Sequence, residues 1–459
     1  MDDADAEVEE LFGTAGIRGD VGTRVTPSFV LRVAAAAGRD GGEFVVGRDG
    51  RESGSTLAAA VEAGLCSAGA RVVRVGQVPT PALAFASRGR QGAMVTASHN
   101  PPSDNGLKLF EDGREYDREA ERRVERRAAD PDPPAAWTDW AGSERADPLP
   151  RYREAVVEYA RGFGSSLEGL RVAVDCGNGM ASVATPRVLA AMGGDVVALN
   201  DNVDGHFPGR ESKPTPESLA DLRAFLAEDD ATLGFGHDGD ADRIVVLDDG
   251  GEVVHEDTVV AILAERYVRE SQAGDPVVVT TPNASARIDE RVRAAGGRVE
   301  RVRLGALHEG VEAAYEAGGP ETAVVFAAEP WKHVHPGFGP WIDGVVSAAI
   351  LSRQVAGTGL DALRAPVAER PYRKVSVACP DEHKRSVMAT LETTLPDAFP
   401  ESDLDTEHGV RLERPDGSWL LVRPSGTEPY VRLYAESDDV ADLVERAREL
   451  LEAAVERAG

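Results

Sequence analysis

The sequence predicts an α/β protein: three similar α/β domains followed by a smaller C-terminal α+β domain. Three observations predict it. The chain has 459 residues, more than one hydrophobic core holds. A short apolar strand, a polar loop and a helix recur three times, beginning at Phe44, Arg171 and Pro276. From about Tyr372 onward, shorter strand signals mix with helical ones. The boundaries that follow are 1–146, 147–251, 252–366 and 367–459.

In chain order, Leu11 to Gly19 places three glycines around Arg18, as if to bring backbone and a cation close to an anion; an ordinary hairpin is the other reading. Ser28 to Ala37 reads as a helix, Phe44 to Val46 as a strand, Ser55 to Ser67 as a helix and Arg71 to Val75 as a strand. Arg114 to Arg127 is a charged helical stretch expected to be a solvated face, and Asp130-Pro131-Asp132-Pro133-Pro134 a linker. Asp147 to Pro150 opens the second domain. The turn Asp249-Gly250-Gly251 and the stretch Gly357 to Pro366 mark the later boundaries. Strand signals at Lys374 to Ala378, Trp419 to Val422 and Val431 to Tyr434, with a last helix from Asp438, make up the tail.

Composition excludes several classes. Acidic residues number 79 against 50 basic ones, a net charge of −29. Such a surface argues against nucleic acid and against anionic membranes as partners. Only five of the basic residues are lysine. A carboxylate-rich, lysine-poor surface suits the salty cytoplasm of a halophile, where screening removes self-repulsion. Loss of folded structure in dilute salt, followed by circular dichroism, is the expected result; full stability there would reject the idea. Cys66, Cys176 and Cys379 are few and far apart, as in a reducing cytoplasm. The acidic start is unlike a signal peptide, and no apolar run approaches membrane-spanning length. Asn283-Ala284-Ser285 matches a glycosylation sequon by chance.

Four stretches carry chemistry. Ala93-Met94-Val95 reads as a buried strand that runs into a turn forced by Asn100-Pro101-Pro102. Ser98 is left at the strand end, a place for a nucleophile or phosphate carrier, or for a capping serine. Asp238, Asp240 and Asp242 alternate with small residues; in an extended segment all three fall on one side. Three carboxylates there are costly without a hard divalent cation, and Mg²⁺ fits; a solvated acidic turn is the other reading. A calcium EF-hand does not, because Arg243 and Asp249 stand where Gly and Glu are wanted. Arg243 offsets charge and is placed to grip a substrate oxygen. Arg423, Ser425, Gly426 and Thr427 combine a fork donor, hydroxyls and open backbone, the parts of a phosphate cradle. Glu329, Lys332 and His333 can hydrogen-bond a polyol and Trp331 can stack on a sugar face; an irregular surface loop explains them equally well.

Together these stretches resemble the α-D-phosphohexomutase family of phosphoglucomutases, phosphomannomutases and phosphoglucosamine mutases. The motifs span the chain in family order: Thr96 to Pro101 is similar to the phosphoserine loop, Asp238 to Arg243 to the metal loop, and Arg423 to Pro429 to the phosphate loop. Phe12 to Gly19 resembles the entry motif and Asn105-Gly106-Leu107-Lys108 the lysine segment. The resemblance implies four domains around a central cleft and a phosphoryl shuttle between the 1- and 6-positions of a hexose or hexosamine phosphate. Phosphorylated Ser98, primed by a sugar bisphosphate, gives its group and takes back the other. Mg²⁺ is implied on Asp238, Asp240, Asp242 and the Ser98 phosphoryl oxygen. Arg18, His99, Lys108 and Arg243 are implied around the transferring group, with the general base unassigned.

Two departures from the family touch substrate choice. The usual Gly-Glu-x-Ser-Gly-His reads Ala328-Glu329-Pro330-Trp331-Lys332-His333, and the Val-Gly-Asp segment reads Leu304-Gly305-Ala306. Two other readings stay open. An aspartyl-nucleophile phosphatase would use Asp238 or Asp240 but leaves Ser98 and the cradle unexplained. A non-catalytic phosphosugar-binding protein would not need three clustered aspartates.

Overall fold

The computed structural model describes residues 11–13, 16–425 and 428–459. Gly426 and Thr427 of the expected cradle lie outside the described residues. The chain forms two compact units, Met1–Glu256 with Trp331–Leu363, and Asp257–Pro330 with Arg364–Gly459.

The first unit opens with a mixed sheet built from β1 (Ile17–Asp20), β2 (Glu43–Arg48), β3 (Arg71–Gln77), β4 (Gln91–Val95), β5 (Asp104–Glu111), β6 (Arg114–Glu115) and β7 (Ser143–Arg145). The order is β1-β5-β4-β2-β3-β7, with β6 beside β5. β2 runs parallel to β3 and β4, whereas β4 and β5 are antiparallel. The helix Pro27–Gly38 begins where Thr26 accepts a hydrogen bond from the Phe29 amide and Pro27 pre-sets the first turn. It buries Val30, Val33, Ala34 and Ala37 on one face. The helix Gly54–Ser67 crosses it closely: a Cβ on Gly64 would lie 2.4 Å from the Leu31 carbonyl oxygen.

A second sheet has the order β11-β10-β8-β9, from β8 (Arg171–Asp175), β9 (Asp195–Leu199), β10 (Leu233–His237) and β11 (Ile244–Leu247). β8 is parallel to β9 and β10, and β10 turns back antiparallel into β11. The Ser98 loop therefore leaves the carboxyl end of β4, and the aspartate loop leaves that of β10, the ends where α/β sheets bind ligands. The hairpin Lys332–His335 and Gly339–Ile342 completes this unit with the helix Gly344–Thr358. Asp343 caps that helix by accepting from the Val345 and Val346 amides.

In the second unit, Asp275–Thr280 pairs in parallel with Arg298–Arg301 and Thr322–Glu329. The C-terminal sheet is antiparallel, ordered Tyr372–Ala378, Tyr430–Glu436, Trp419–Pro424, Val410–Glu413, Asp403–Asp405. Helices Asp381–Ala398 and Val440–Ala458 supply Val387, Leu391, Leu443 and Leu451 to its core. A buried Arg287–Glu436 pair at 2.7 Å, joined by the Trp419 indole at 2.8 Å, lies inside this unit.

Two expectations are corrected. Arg114 to Arg127 is not a solvated helical face throughout: Arg114–Glu115 is a strand, and the helix Arg118–Ala129 buries Ala120, Val124 and Ala128. Its Glu125 accepts from the Leu11 and Phe12 amides, at 2.9 and 3.1 Å. The three aspartates are not in an extended segment; residues 238–242 form turns. The strands Asp403–Asp405 and Val410–Glu413 add to the strands expected in the tail, the second with apolar and charged residues alternating. Ser285 of the chance sequon is buried, capping the helix Ala286–Ala294 through the Arg287 amide. Among the described residues, no helix is long and apolar enough to cross a membrane.

Candidate active site

Ser98 is fully buried, with a left-handed backbone at φ 51°, a conformation that costs a non-glycine residue about 1 kcal/mol. A relay of buried polar groups holds it there. The Ser98 amide donates to Thr96 Oγ1 at 2.8 Å, and Thr96 Oγ1 donates to Asp49 at 2.7 Å. Arg51 Nε then donates to Asp49 at 3.1 Å. The rest of the Arg51 guanidinium collects the carbonyls of Ser98 (2.9 Å), Asn100 (2.7 Å), Asp104 (2.8 Å) and Pro101. One side chain thus satisfies the backbone of the whole turn. With the loop set, Ser98 Oγ donates to Asp238 Oδ2 at 2.6 Å and lies 3.4 Å from His99 Nδ1.

The aspartate loop reaches Ser98 because its turn is tight. Ala241 has φ 60°, its amide donates to the Asp238 carbonyl at 3.2 Å, and a Cβ on Gly239 would stand 2.6 Å from the Ser98 carbonyl oxygen. Each of Asp238, Asp240 and Asp242 offers one oxygen, and those atoms lie within 4.8 Å of one another, all buried. Asp240 Oδ1 and Asp242 Oδ1 have no hydrogen-bond partner among the described residues. Burial, and then the charges of Asp242 and Asp240, push the Asp238 carboxyl well above the usual carboxylate range. Burial pushes Asp242 the same way, but Lys108 and Arg243 overcome it and hold that carboxyl below its ordinary value. Three hard oxygens with unused lone pairs, and one carboxylate destabilised by its neighbours, fit a divalent cation.

The cations expected here are gathered on the same unit. Lys108 is buried on β5, with Nζ 2.9 Å from Asp242, 3.3 Å from Glu115 and 3.9 Å from Asp240. Burial alone would lower its pKa; these carboxylates win and raise it, so Lys108 stays charged. Arg243 Nε stands 3.7 Å from Asp238 and 3.9 Å from Asp242. Burial, then Arg243 and Arg18, drive the His99 imidazole down to about 3, which leaves it neutral. Arg18 lies on β1, opposite Gly106 of β5, and its Nε is buried without a hydrogen-bond partner among the described residues. Glycine is required at position 106 because a Cβ there would come 2.1 Å from the Ile17 carbonyl oxygen.

Trp331, Lys332 and His333 also belong to this unit. Trp331 has φ 65°, its carbonyl accepts from the Ile244 amide at 3.0 Å, and its half-buried ring packs against the cluster of Leu219, Leu222, Leu226 and Val245. Lys332 forms an antiparallel backbone bridge with Arg243. His333 is buried, its Nδ1 2.9 Å from Ser347 Oγ, which His335 Nε2 also meets at 2.9 Å.

In the second unit, Glu329 is buried and accepts from the Gly305 amide. The two segments that depart from the family pattern meet at that bond. Arg423 donates to the Tyr434 hydroxyl at 3.3 Å, and its Nε is buried without a hydrogen-bond partner among the described residues. The Ser425 amide donates to the Tyr430 carbonyl at 2.9 Å. Lys384 Nζ braces the loop through the carbonyls of Ser425 (2.6 Å) and Glu428 (2.7 Å).

Sequence reasoning missed Asp49, Arg51, Thr80, Glu115 and Lys384. Thr80 Oγ1 donates to Asp240 Oδ2 at 2.6 Å and its amide to the Asp240 carbonyl at 3.0 Å. The Gly47-Arg48-Asp49-Gly50-Arg51 loop was a possible signal, since it pairs opposite charges on a loop after a buried strand.

Comparison with known proteins follows the same order along the chain. Residues 9–134 match the alpha/beta/alpha domain I of phosphoglucomutase/phosphomannomutase, 150–251 its alpha/beta/alpha domain II, and 375–453 its C-terminal domain. The chain is 41% identical over 435 residues to a phosphopentomutase of Thermococcus kodakarensis, covering 93% of this chain and 94% of that one. It is 41% identical over 452 residues to a probable phosphoglucosamine mutase of Methanopyrus kandleri, covering 96% of each. The crystal structure of a phosphoglucomutase/phosphomannomutase family protein from Burkholderia thailandensis is similar, with a TM-score of 0.85 at 28% identity, over 98% of this chain and 97% of that one.

Proposed function

The chain belongs to the α-D-phosphohexomutase family and is a phosphosugar mutase, and from that premise we propose how it works. Ser98 carries the phosphoryl group. It passes between Ser98 Oγ and the 1- or 6-oxygen of a hexose or hexosamine phosphate, through a bisphosphate that reorients without leaving. The observation that carries the reading is the placement of Ser98 Oγ, 2.6 Å from a buried cluster of three aspartates, on a backbone held by Thr96 and Arg51.

In each half-reaction the bond from phosphorus to one oxygen forms as the bond to the other breaks; the attacking hydroxyl, the sugar's when Ser98 gives its group and Ser98's when it takes one back, gives up its proton, and the departing oxygen takes one up. A divalent cation, Mg²⁺ by the donor set, would be held by Asp238, Asp240, Asp242 and a phosphoryl oxygen on Ser98, and would neutralise charge on the transferring group. Lys108 stays charged beside Asp242 and Arg243 stands beside Asp238; Arg18, whose charge is felt by His99, would add a third cation. Neutral His99, 3.4 Å from Ser98 Oγ, is a candidate proton carrier. Arg423 and Ser425, with Gly426 and Thr427, would hold the phosphate that is not reacting. Glu329 would take the sugar hydroxyls, with Trp331, Lys332 and His333 shaping that loop. The division into domains at 146, 251 and 366 and a cytoplasmic location belong to the same proposal.

The test is a panel of glucose, mannose, glucosamine, N-acetylglucosamine and ribose 1-phosphates, each with a trace of sugar bisphosphate, in molar KCl. Ribose is included because one relative is named a phosphopentomutase. Turnover of at least one hexose or hexosamine phosphate is expected. Its loss on chelation and return with Mg²⁺ are expected too. Conversion of ribose phosphate alone would move the substrate to pentoses. Silence across the panel with Ser98 free of phosphate would reject the shuttle.

A further inference from the structure

The segment 200–212, which follows β9, carries two left-handed residues, Asn200 at φ 49° and Phe207 at φ 51°. Asparagine tolerates that backbone because its short side chain bonds locally; a phenylalanine there is an outlier. A strained residue persists only where its surroundings hold it. Here the surroundings are the two loops of the candidate active site. Early in the segment, Gly205 lies against the turn that carries Arg51: a Cβ there would come 2.6 Å from the Gly50 carbonyl oxygen. Farther along, Arg210 donates to the His237 carbonyl at 2.6 Å, one residue before Asp238. At the end, Ser212 Oγ donates to the Asn100 carbonyl at 3.1 Å, two residues after Ser98. One segment thus bonds both the Ser98 loop and the aspartate loop.

Phe207 lies where the two loops meet, and it is buried. The Arg51 guanidinium carbon stands over its ring, 5.1 Å from the centroid. This is the guanidinium that holds the Ser98 carbonyl at 2.9 Å. The ring tip reaches Gly239, between Asp238 and Asp240. A Cβ on Gly239 would stand 3.3 Å from Phe207 Cζ and 2.6 Å from the Ser98 carbonyl oxygen. Ring, guanidinium, Ser98 carbonyl and aspartate-loop backbone therefore close on one another.

We propose that Phe207 is a positioning residue for phosphoryl transfer, its ring the spacer that sets Ser98 Oγ against the three aspartates. The inference rests on the mutase reading and deepens it. The five N–H donors of Arg51 are spent on Asp49 and on the carbonyls of Ser98, Asn100, Pro101 and Asp104. Those bonds fix the Ser98 turn, but none of them reaches the aspartate loop. Packing has to set that spacing, and a rigid ring in van der Waals contact sets it more closely than a hydrogen bond does. An aromatic ring suits both neighbours, because its face attracts the guanidinium and its edge packs on glycine backbone. The strain at position 207 then has a reason: the left-handed turn is what brings a ring to this point. Asn200, where only the turn is needed, carries no such group.

The test is steady-state kinetics of Phe207→Ala, Phe207→Gly and Phe207→Leu in molar KCl with Mg²⁺, on the sugar phosphate that the wild type turns over. Amide hydrogen exchange is measured on each protein. Phe207→Ala should lower kcat per folded molecule about 100-fold, the scale for reacting atoms misplaced by an ångström, and hold KM near wild type. Exchange should quicken in residues 98–100 and 238–242 while β2 and β8 keep their protection. Phe207→Gly should unfold at a higher temperature than Phe207→Ala, because glycine relieves the backbone, and be equally slow, because the ring is still missing. Phe207→Leu refills much of the space and should recover part of kcat. Full turnover in Phe207→Ala would overturn the inference, as would turnover restored by Phe207→Gly, which would assign the defect to backbone strain. A rise in KM as large as the fall in kcat would overturn it too, as general damage to the site. An inactive wild type would remove the mutase reading, and exchange would then decide the spacer alone: faster in both loops of Phe207→Ala keeps it, unchanged rejects it.

Discussion

Ser98→Ala will lower turnover by on the order of 10⁴-fold or more, the scale on which covalent catalysts lose their nucleophile. The substitution removes the hydroxyl oxygen that meets Asp238 at 2.6 Å. It leaves Asp238, Asp240, Asp242 and the Arg51 clamp in position, so the protein should remain folded. The stability cost is that of one buried hydrogen bond to a carboxylate, about 1–3 kcal/mol. The left-handed backbone at position 98 is equally strained with either residue, so Ser98→Gly is the matched control that relieves it. Both variants should be inactive and both should lack phosphate at position 98 by mass spectrometry. Turnover that survives in either one, with phosphate release as the product, would shift the chemistry to an aspartyl nucleophile at Asp238 or Asp240.

The site was legible where its residues are contiguous. Ser98, His99 and the aspartates declare themselves because a catalytic loop packs its chemistry into a few positions of chain. The reason given for the aspartates was nonetheless incorrect. They converge through a turn with Ala241 at positive φ, not through the pleat of a strand. Local alternation cannot distinguish the two when every second residue is small. Lys108 was named from a resemblance, but its role depends on β5 lying between β1 and β4, a non-local pairing. The fold class was read correctly from the repeated strand, loop and helix. What stayed hidden were groups whose partners are backbone atoms. A carbonyl has no residue identity, so a side chain that binds four of them leaves no motif. Trp331 and His333 show the same limit: the sequence offers their chemistry, and only the packing shows the first against Leu222 and its neighbours and the second on Ser347.

Arg51 is the sharpest case of that hidden kind. Arg51→Met should destabilise the first unit by about 3–5 kcal/mol, the cost of breaking a buried charge pair from one side. Asp49 would be left fully buried with Thr96 and the residue-51 amide, and burial already raises its pKa. The carbonyls of Ser98, Asn100, Pro101 and Asp104 would lose their shared donor. Methionine fills much of the volume, so the loss is electrostatic and not a cavity. Thermal unfolding in molar KCl reads the stability, and turnover per folded molecule reads the loop. Adding Asp49→Asn should return part of the stability, since no unpaired carboxylate then remains. It should not return turnover, because no side chain is left to hold the Ser98 carbonyl and the strained backbone is free to relax. A cycle in which stability and turnover recover together would mean that Arg51 only balances the charge of Asp49. Recovery of stability alone would assign the clamp to catalysis: the nucleophile is positioned by its carbonyl, from a residue 47 positions earlier in the chain.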